Sequence, residues 1–241
     1  MTLWSPQIGA DGHVVAYGHY GRPVLAFPSQ AGRRVDWEDR GMVAAIAPLI
    51  DAGRVKLYCV DSFDRGSWLR DDLPLDDRAR LHEAYEGWIL DQVLGFIASD
   101  CHGRADLVAT GCSFGAYHAA NLALRHPHRV PVALCMSGVY DLGVLGWGDR
   151  GGTFLAHTPL HTVGSAGDDH LDWLRTRLQL TLVCGQGAYE DSTGALHSTR
   201  TFGGLLRERG MRAELDLWGH DIPHDWSSWR LQLAHHLPRH C

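Results

Sequence analysis

Long apolar runs are missing from this chain of 241 residues. None reaches the roughly 18 apolar residues that a membrane-crossing helix needs. The longest, Met42 to Ile50, is interrupted by Pro48. The segment Met1-Thr2-Leu3-Trp4-Ser5-Pro6 has neither a basic start nor an apolar stretch, so no export signal is expected. Basic residues are scarce and dispersed: 22 stand against 28 acidic ones, the net charge is −6, and Arg33-Arg34 is only a pair. A nucleic-acid groove needs a basic stripe, so nucleic acid is excluded as a partner. The six cysteines show no C-x-x-C spacing. Cys59, Cys135 and Cys184 sit in apolar runs and read as buried thiols, which fits a reducing cytoplasm.

What is present is an ordinary globular composition, 45% apolar and 21% charged, enriched in glycine (28) and tryptophan (9). That mixture excludes disordered, collagen-like and coiled-coil chains. No repeat, low-complexity linker or composition shift divides the chain, so residues 1–241 are expected to form a single domain. Short β-like runs alternate with helix-like stretches. The expected strands are Val14–Tyr17, Pro23–Phe27, Val55–Val60, Ala105–Thr110, Pro131–Met136, Leu178–Cys184 and Arg212–Trp218. Helices are expected from Trp37 to Ala52, Asp76 to Ser99, Phe114 to Arg125, Ser198 to Arg209 and Trp226 to His236. This alternation means an α/β fold, a mostly parallel central sheet with helices on both faces. Such sheets bind ligands at the carboxyl ends of their strands. Residues 61–75 read as a loop carrying Trp68. The glycine-rich segment 141–176 carries Trp147, Phe154 and Trp173 and reads either as a lid or pocket-lining insertion or as a partly helical surface excursion.

The strongest chemical signal is Gly111-Cys112-Ser113-Phe114-Gly115, a G-x-S-x-G pattern after an apolar strand and before a helix of small residues. A sharp strand-to-helix turn lifts the serine hydroxyl out of the sheet, and only glycines let the two elements pack that closely. A serine hydroxyl needs a general base. In this architecture the chain order is serine, acid, histidine. The base is therefore sought after the last strand, where His220 and His224 stand, and His224 is preferred because it opens the final helix. The acid is sought after the strand ending at Cys184. Glu190 and Asp191 are adjacent candidates there, with Asp141 as an outside one. An oxyanion hole takes one N–H from Phe114 and a second from the loop after Phe27. Pro28 has no N–H, so Ser29 or Gln30 is the second donor. Trp68, Trp147 and Phe154 are candidates for the substrate pocket. His220-x-x-x-His224 has a metal-pair spacing, but Pro223 breaks the helix it would need and no third ligand stands at a recognisable spacing. No metal and no cofactor are called for.

Taken together, these residues resemble the esterase D-like branch of the α/β-hydrolase superfamily, which includes feruloyl esterases and mycolyltransferases. The resemblance rests on Gly111 to Gly115, Ser137-Gly138-Val139-Tyr140-Asp141, Gly185-Gln186-Gly187 and His224-Asp225-Trp226-x-x-Trp229. It covers nearly the whole chain. It implies the α/β-hydrolase fold, Ser113 as nucleophile, His224 as base and a glutamate acid, which favours Glu190 over Asp191. Cys112-Ser113-Phe114 departs from the His-Ser-Met elbow of S-formylglutathione hydrolases, which makes a glutathione thioester a poor substrate choice. The export signal expected of a cell-wall mycolyltransferase is also missing. The expected function is a serine ester hydrolase of carboxylesterase type, working on a small-molecule ester through an acyl-enzyme. The alternatives are an acyltransferase with the same triad and a non-catalytic binding protein that keeps the fold. A homo-oligomer is left open.

Overall fold

The computed structural model describes residues 1–103 and 106–241. Eight strands form its sheet: β1 (Thr2–Ser5), β2 (Ala10–Tyr17), β3 (Arg22–Phe27), β4 (Val55–Val60), β5 (Val108–Cys112), β6 (Val132–Met136), β7 (Gln179–Cys184) and β8 (Ala213–Leu217). Their order is β1-β2-β4-β3-β5-β6-β7-β8. β1 pairs antiparallel with β2, and β2 antiparallel with β4, while β3 to β8 run parallel to one another, as the apolar runs require. The first strand is not among those expected from sequence. Ala105 of the expected strand 105–110 lies outside the described residues.

Side chains on the central strands alternate between two apolar layers. Val24, Ala26, Leu57, Cys59, Leu134 and Met136 face one layer with Trp37, Met42, Trp229 and Leu233. Leu25, Phe27, Ala109, Ala133, Leu180 and Leu182 face the other, with Tyr85, Trp88, Ala116, Ala120 and Phe202.

The single helix expected over 37–52 is instead three short ones: α1 (Asp36–Asp39), α2 (Met42–Ala45) and α3 (Ala47–Asp51). Gly41 adopts φ +75° between the first two, which breaks the helical path, and Pro48 opens the third. The helix expected over 76–99 is α4 (Leu75–Trp88), a π-helical turn at Ile89–Val93, and α5 (Leu94–Asp100). α6 (Phe114–Arg125) follows β5 directly. Segment 141–176 is largely helical, as α7 (Gly152–Ala156), α8 (Pro159–Ser165) and α9 (Asp168–Arg177). α10 (Ala195–Glu208) precedes β8, and α11 (Trp226–His236) follows it.

Polar side chains line the buried face of α4. Asp76, Arg78, His82 and Glu86 are all buried there, alongside His118 and Asn121 of α6 and His157 at the end of α7. Burial pushes the His82 imidazole well below its ordinary range and the His157 imidazole down to about 4, so both rings are neutral near pH 7. Trp68 and Phe154 pack into the same region with Phe114 and Tyr117. Among the described residues no helix is long and apolar enough to cross a membrane.

Candidate active site

The turn from β5 to α6 holds Ser113 at φ +55° and ψ −121°. For a residue with a side chain this conformation costs on the order of 1–3 kcal/mol, so the packing around it must enforce it. Two glycines make that packing close. A Cβ on Gly111 would sit 2.2 Å from the Gly115 carbonyl oxygen, and one on Gly115 would sit 2.3 Å from the Pro28 carbonyl oxygen. The start of α6 is thereby pressed against both its own strand and the loop that leaves β3.

A second pair of glycines joins the loops after β7 and β8. A Cβ on Gly185 would lie 2.0 Å from the Ile222 carbonyl oxygen, and one on Gly187 would lie 2.7 Å from it. The Gly187 N–H donates to that oxygen at 2.9 Å, and the His224 N–H donates to the Ala188 carbonyl at 2.8 Å. This clasp carries Glu190 and His224 toward each other. The structure brings Ser113, His224 and Glu190 into one line. His224 Nε2 lies 3.0 Å from Ser113 Oγ, and His224 Nδ1 lies 2.8 Å from Glu190 Oε2.

Glu190 is fully buried, so its carboxylate needs partners. Ser137 Oγ donates to Oε1 at 2.6 Å, and the Gly185 N–H donates to the same oxygen at 3.3 Å. Trp229 Nε1 in turn donates to Ser137 Oγ at 3.2 Å, and the Trp229 ring meets the His224 ring edge to face at 5.0 Å between centroids. Trp229 lies one turn into α11, which Asp225 caps immediately after His224. Sequence reasoning passed over the support given by Ser137. Its only local signal is the pair Ser137-Gly138 after an apolar strand.

The other acid and base candidates stand apart. Asp191 is exposed. Asp141 caps a 3-10 turn and accepts the Gly143 N–H. His220 is exposed, with Nδ1 3.2 Å from the Gln186 carbonyl oxygen. Both His224 nitrogens already have partners, so His220 and His224 do not form a metal pair here. Burial raises the Cys112 thiol well above its ordinary range, which keeps it protonated beside Ser113.

The loop after β3 is shaped by Asp64. Its Oδ2 accepts the Ala31 N–H at 2.8 Å while Oδ1 lies 2.8 Å from His118 Nε2. Ala31 takes φ +54°, and the Gly32 N–H donates to the Ser29 carbonyl at 2.9 Å. With Ala31 and Gly32 engaged, Ser29 and Gln30 keep the loop's free amides. Phe114 supplies the first amide of α6, which has no partner within the helix.

The expected pocket aromatics divide. Trp68 is fully buried and makes edge contacts with Tyr117 and Phe154, so it is a core residue and not a pocket wall. Phe154 is 2% exposed and lies beside a cleft that also involves Asp141 and Arg150. Trp147 is exposed, and its indole N–H donates to the Asp71 carbonyl oxygen at 3.1 Å.

An eight-stranded, mostly parallel sheet with a Ser-His-Glu line at its carboxyl edge defines an α/β-hydrolase, and in class the chain is a serine ester hydrolase. It belongs to the family described as "Putative esterase", whose model matches residues 29–240. Solved structures agree on the fold. A ferulic acid esterase superimposes with a TM-score of 0.76 at 16% identity, covering 100% of this chain and 96% of its own. MPT51 (FbpC1) of Mycobacterium tuberculosis gives 0.76 at 18% identity, covering 98% of this chain and 94% of its own. S-formylglutathione hydrolase (FrmB) of Staphylococcus aureus gives 0.73 at 12% identity, covering 100% and 96%. No curated protein matches.

Proposed function

We propose that the chain hydrolyses a small-molecule carboxylic ester through an acyl-enzyme on Ser113. The observation that carries this reading is the continuous Ser113–His224–Glu190 contact, at 3.0 and 2.8 Å. His224 Nε2 takes the hydroxyl proton as Oγ attacks the ester carbonyl carbon. Glu190, held by Ser137 and Gly185, orients the ring and stabilises the imidazolium that forms. The amides of Phe114 and of Gln30 or Ser29 receive the negative charge that develops on the carbonyl oxygen. His224 then returns the proton to the leaving alcohol. Water attacks the acyl-enzyme with His224 again acting as base. Ser113 is half-buried and Gln30 is exposed, which supports water as the acceptor.

Intact-protein mass after exposure to a fluorophosphonate tests the reading. One adduct is expected on the wild-type chain and none on Ser113→Ala. An unlabelled, folded wild-type protein would overturn it. A panel of p-nitrophenyl esters of increasing acyl length then defines the substrate, and added alcohol acceptors measure any acyl transfer.

A further inference from the structure

Between α4, α6 and α7, four side chains converge in the core. His82 and Glu86 sit one turn apart on α4, Asn121 projects from α6, and His157 closes α7. All four are buried. Asn121 Nδ2 lies 3.4 Å from His82 Nε2, 3.1 Å from Glu86 Oε2 and 3.1 Å from His157 Nδ1. Glu86 Oε2 and His157 Nδ1 are 3.7 Å apart, and the His82, Glu86 and His157 ligand atoms all lie within 4.8 Å of one another.

These contacts do not close as a hydrogen-bond network. The amide nitrogen has two hydrogens and three contacts, so one contact lacks a hydrogen bond from it whichever tautomers the rings adopt. Rotating the amide by a half-turn places Oδ1 against Glu86 Oε2, an acceptor against an acceptor. Either orientation leaves one contact unfavourable in the buried interior, where an unmatched polar group costs most. Four of the six separations among these four atoms lie between 3.1 and 3.7 Å. Ligands at ~2.1 Å from a Zn2+ ion lie roughly 3.4 Å from one another. The other carboxylate oxygen of Glu86 is already held, by Arg125 Nε at 2.7 Å and His126 Nε2 at 3.0 Å, which fixes Oε2 toward the centre.

We propose that His82 Nε2, Glu86 Oε2, His157 Nδ1 and, after the amide rotates, Asn121 Oδ1 form a structural site for a divalent ion of the Zn2+ type. A cation at the centre turns four competing acceptors into four ligands. Two imidazoles with two oxygens suit zinc, and four protein ligands leave no open position for substrate. The ion ties α4 and α7 to the helix that begins at Ser113. It braces the scaffold and takes no part in ester chemistry.

The test uses the full chain, stripped with a chelator and titrated with Zn2+ by calorimetry. One equivalent is expected to bind, with a Tm rise of about 5–10 °C at Zn2+ a hundredfold above Kd. Co2+ in its place is expected to give the intense visible bands of four-coordinate cobalt. His157→Ala is expected to weaken binding at least tenfold. His235→Ala, in the partly exposed Asp216–His235–His236 cluster, is expected to leave binding unchanged. Asn121→Asp is expected to tighten it about tenfold by adding a charged ligand, and it decides the matter if His157→Ala does not fold. No Zn2+ binding by the wild-type chain, binding lost with His235→Ala, or Asn121→Asp no tighter than wild type would overturn the proposal.

Discussion

Replacing Ser137 with alanine removes one hydroxyl and breaks two contacts around the buried carboxylate. Glu190 Oε1 loses its 2.6 Å donor and keeps only the Gly185 N–H at 3.3 Å. Trp229 Nε1 loses its acceptor. The Cys184 thiol contacts the other oxygen, at 3.4 Å, and does not replace the missing bond. A hydrogen bond to a charged group contributes about 1.5–3 kcal/mol. If that bond serves to hold Glu190 in line with His224, its loss falls on the transition state, at about 1.4 kcal/mol per factor of ten. The expected fall in kcat is therefore about 10- to 100-fold, with KM within about twofold. Fluorophosphonate labelling is expected to slow in parallel, because it also needs an activated serine. Alanine keeps the Cβ that Ser137 already carries at φ +52°, so the backbone gains no new strain. Trp229→Phe is the control. It retains a ring against His224 but removes the indole N–H, and a smaller loss is expected. A folded Ser137→Ala variant with kcat within twofold of wild type would refute the reasoning.

Three further outcomes are expected. Glu190→Gln should lower kcat on a p-nitrophenyl ester by ~10³–10⁴-fold, whereas exposed Asp191→Asn should leave it within about threefold; equal losses would remove Glu190 from its place. Gly185→Ala should destabilise the fold by about 1–3 kcal/mol, visible as a lower urea midpoint, because its Cβ would meet the Ile222 carbonyl oxygen at 2.0 Å. Stability should fall as pH drops below about 6.5: burial lowers the His236 and His240 imidazoles from that ordinary value, so the unfolded chain binds protons that the folded chain does not. The loss begins near 6.5 and continues toward the lowered folded values, and a flat Tm between pH 7.5 and 5 would contradict it.

Much of the fold and site is legible in the sequence wherever one residue type answers a backbone demand. Gly111 and Gly115 bracket a turn that excludes any Cβ, and Gly185 and Gly187 do the same for the clasp that carries Glu190. The apolar runs of β3 to β7 follow from burial on both faces of the sheet. The spacing that suggested one helix over 37–52 failed because Gly41 enters the left-handed region and divides it. Segment 141–176 was ambiguous because its helices are short and only α9 reaches ten residues. Trp68 was misplaced for a different reason: a tryptophan in a loop gives no sign of which way it points, and here it points inward.

What the sequence hides is partnership between distant positions. Ser137 and Glu190 are separated by 53 residues and meet because β6 and β7 are neighbours that end together. Asp64 and His118 are separated by 54, and their pairing shapes the loop that presents the Gln30 amide. His82 and Glu86 share a helical face with Tyr85 and Ile89 nearby, so their spacing looks like ordinary amphipathic packing until α6 and α7 close over it. In each case neither member of the pair reveals its partner in the sequence. Burial makes the partner necessary, since a buried polar atom is stable only with one. The groups around Glu190 find one within the protein. Those around Asn121 do not all do so, and that difference between two buried clusters in the same molecule is what points to an ion at the second.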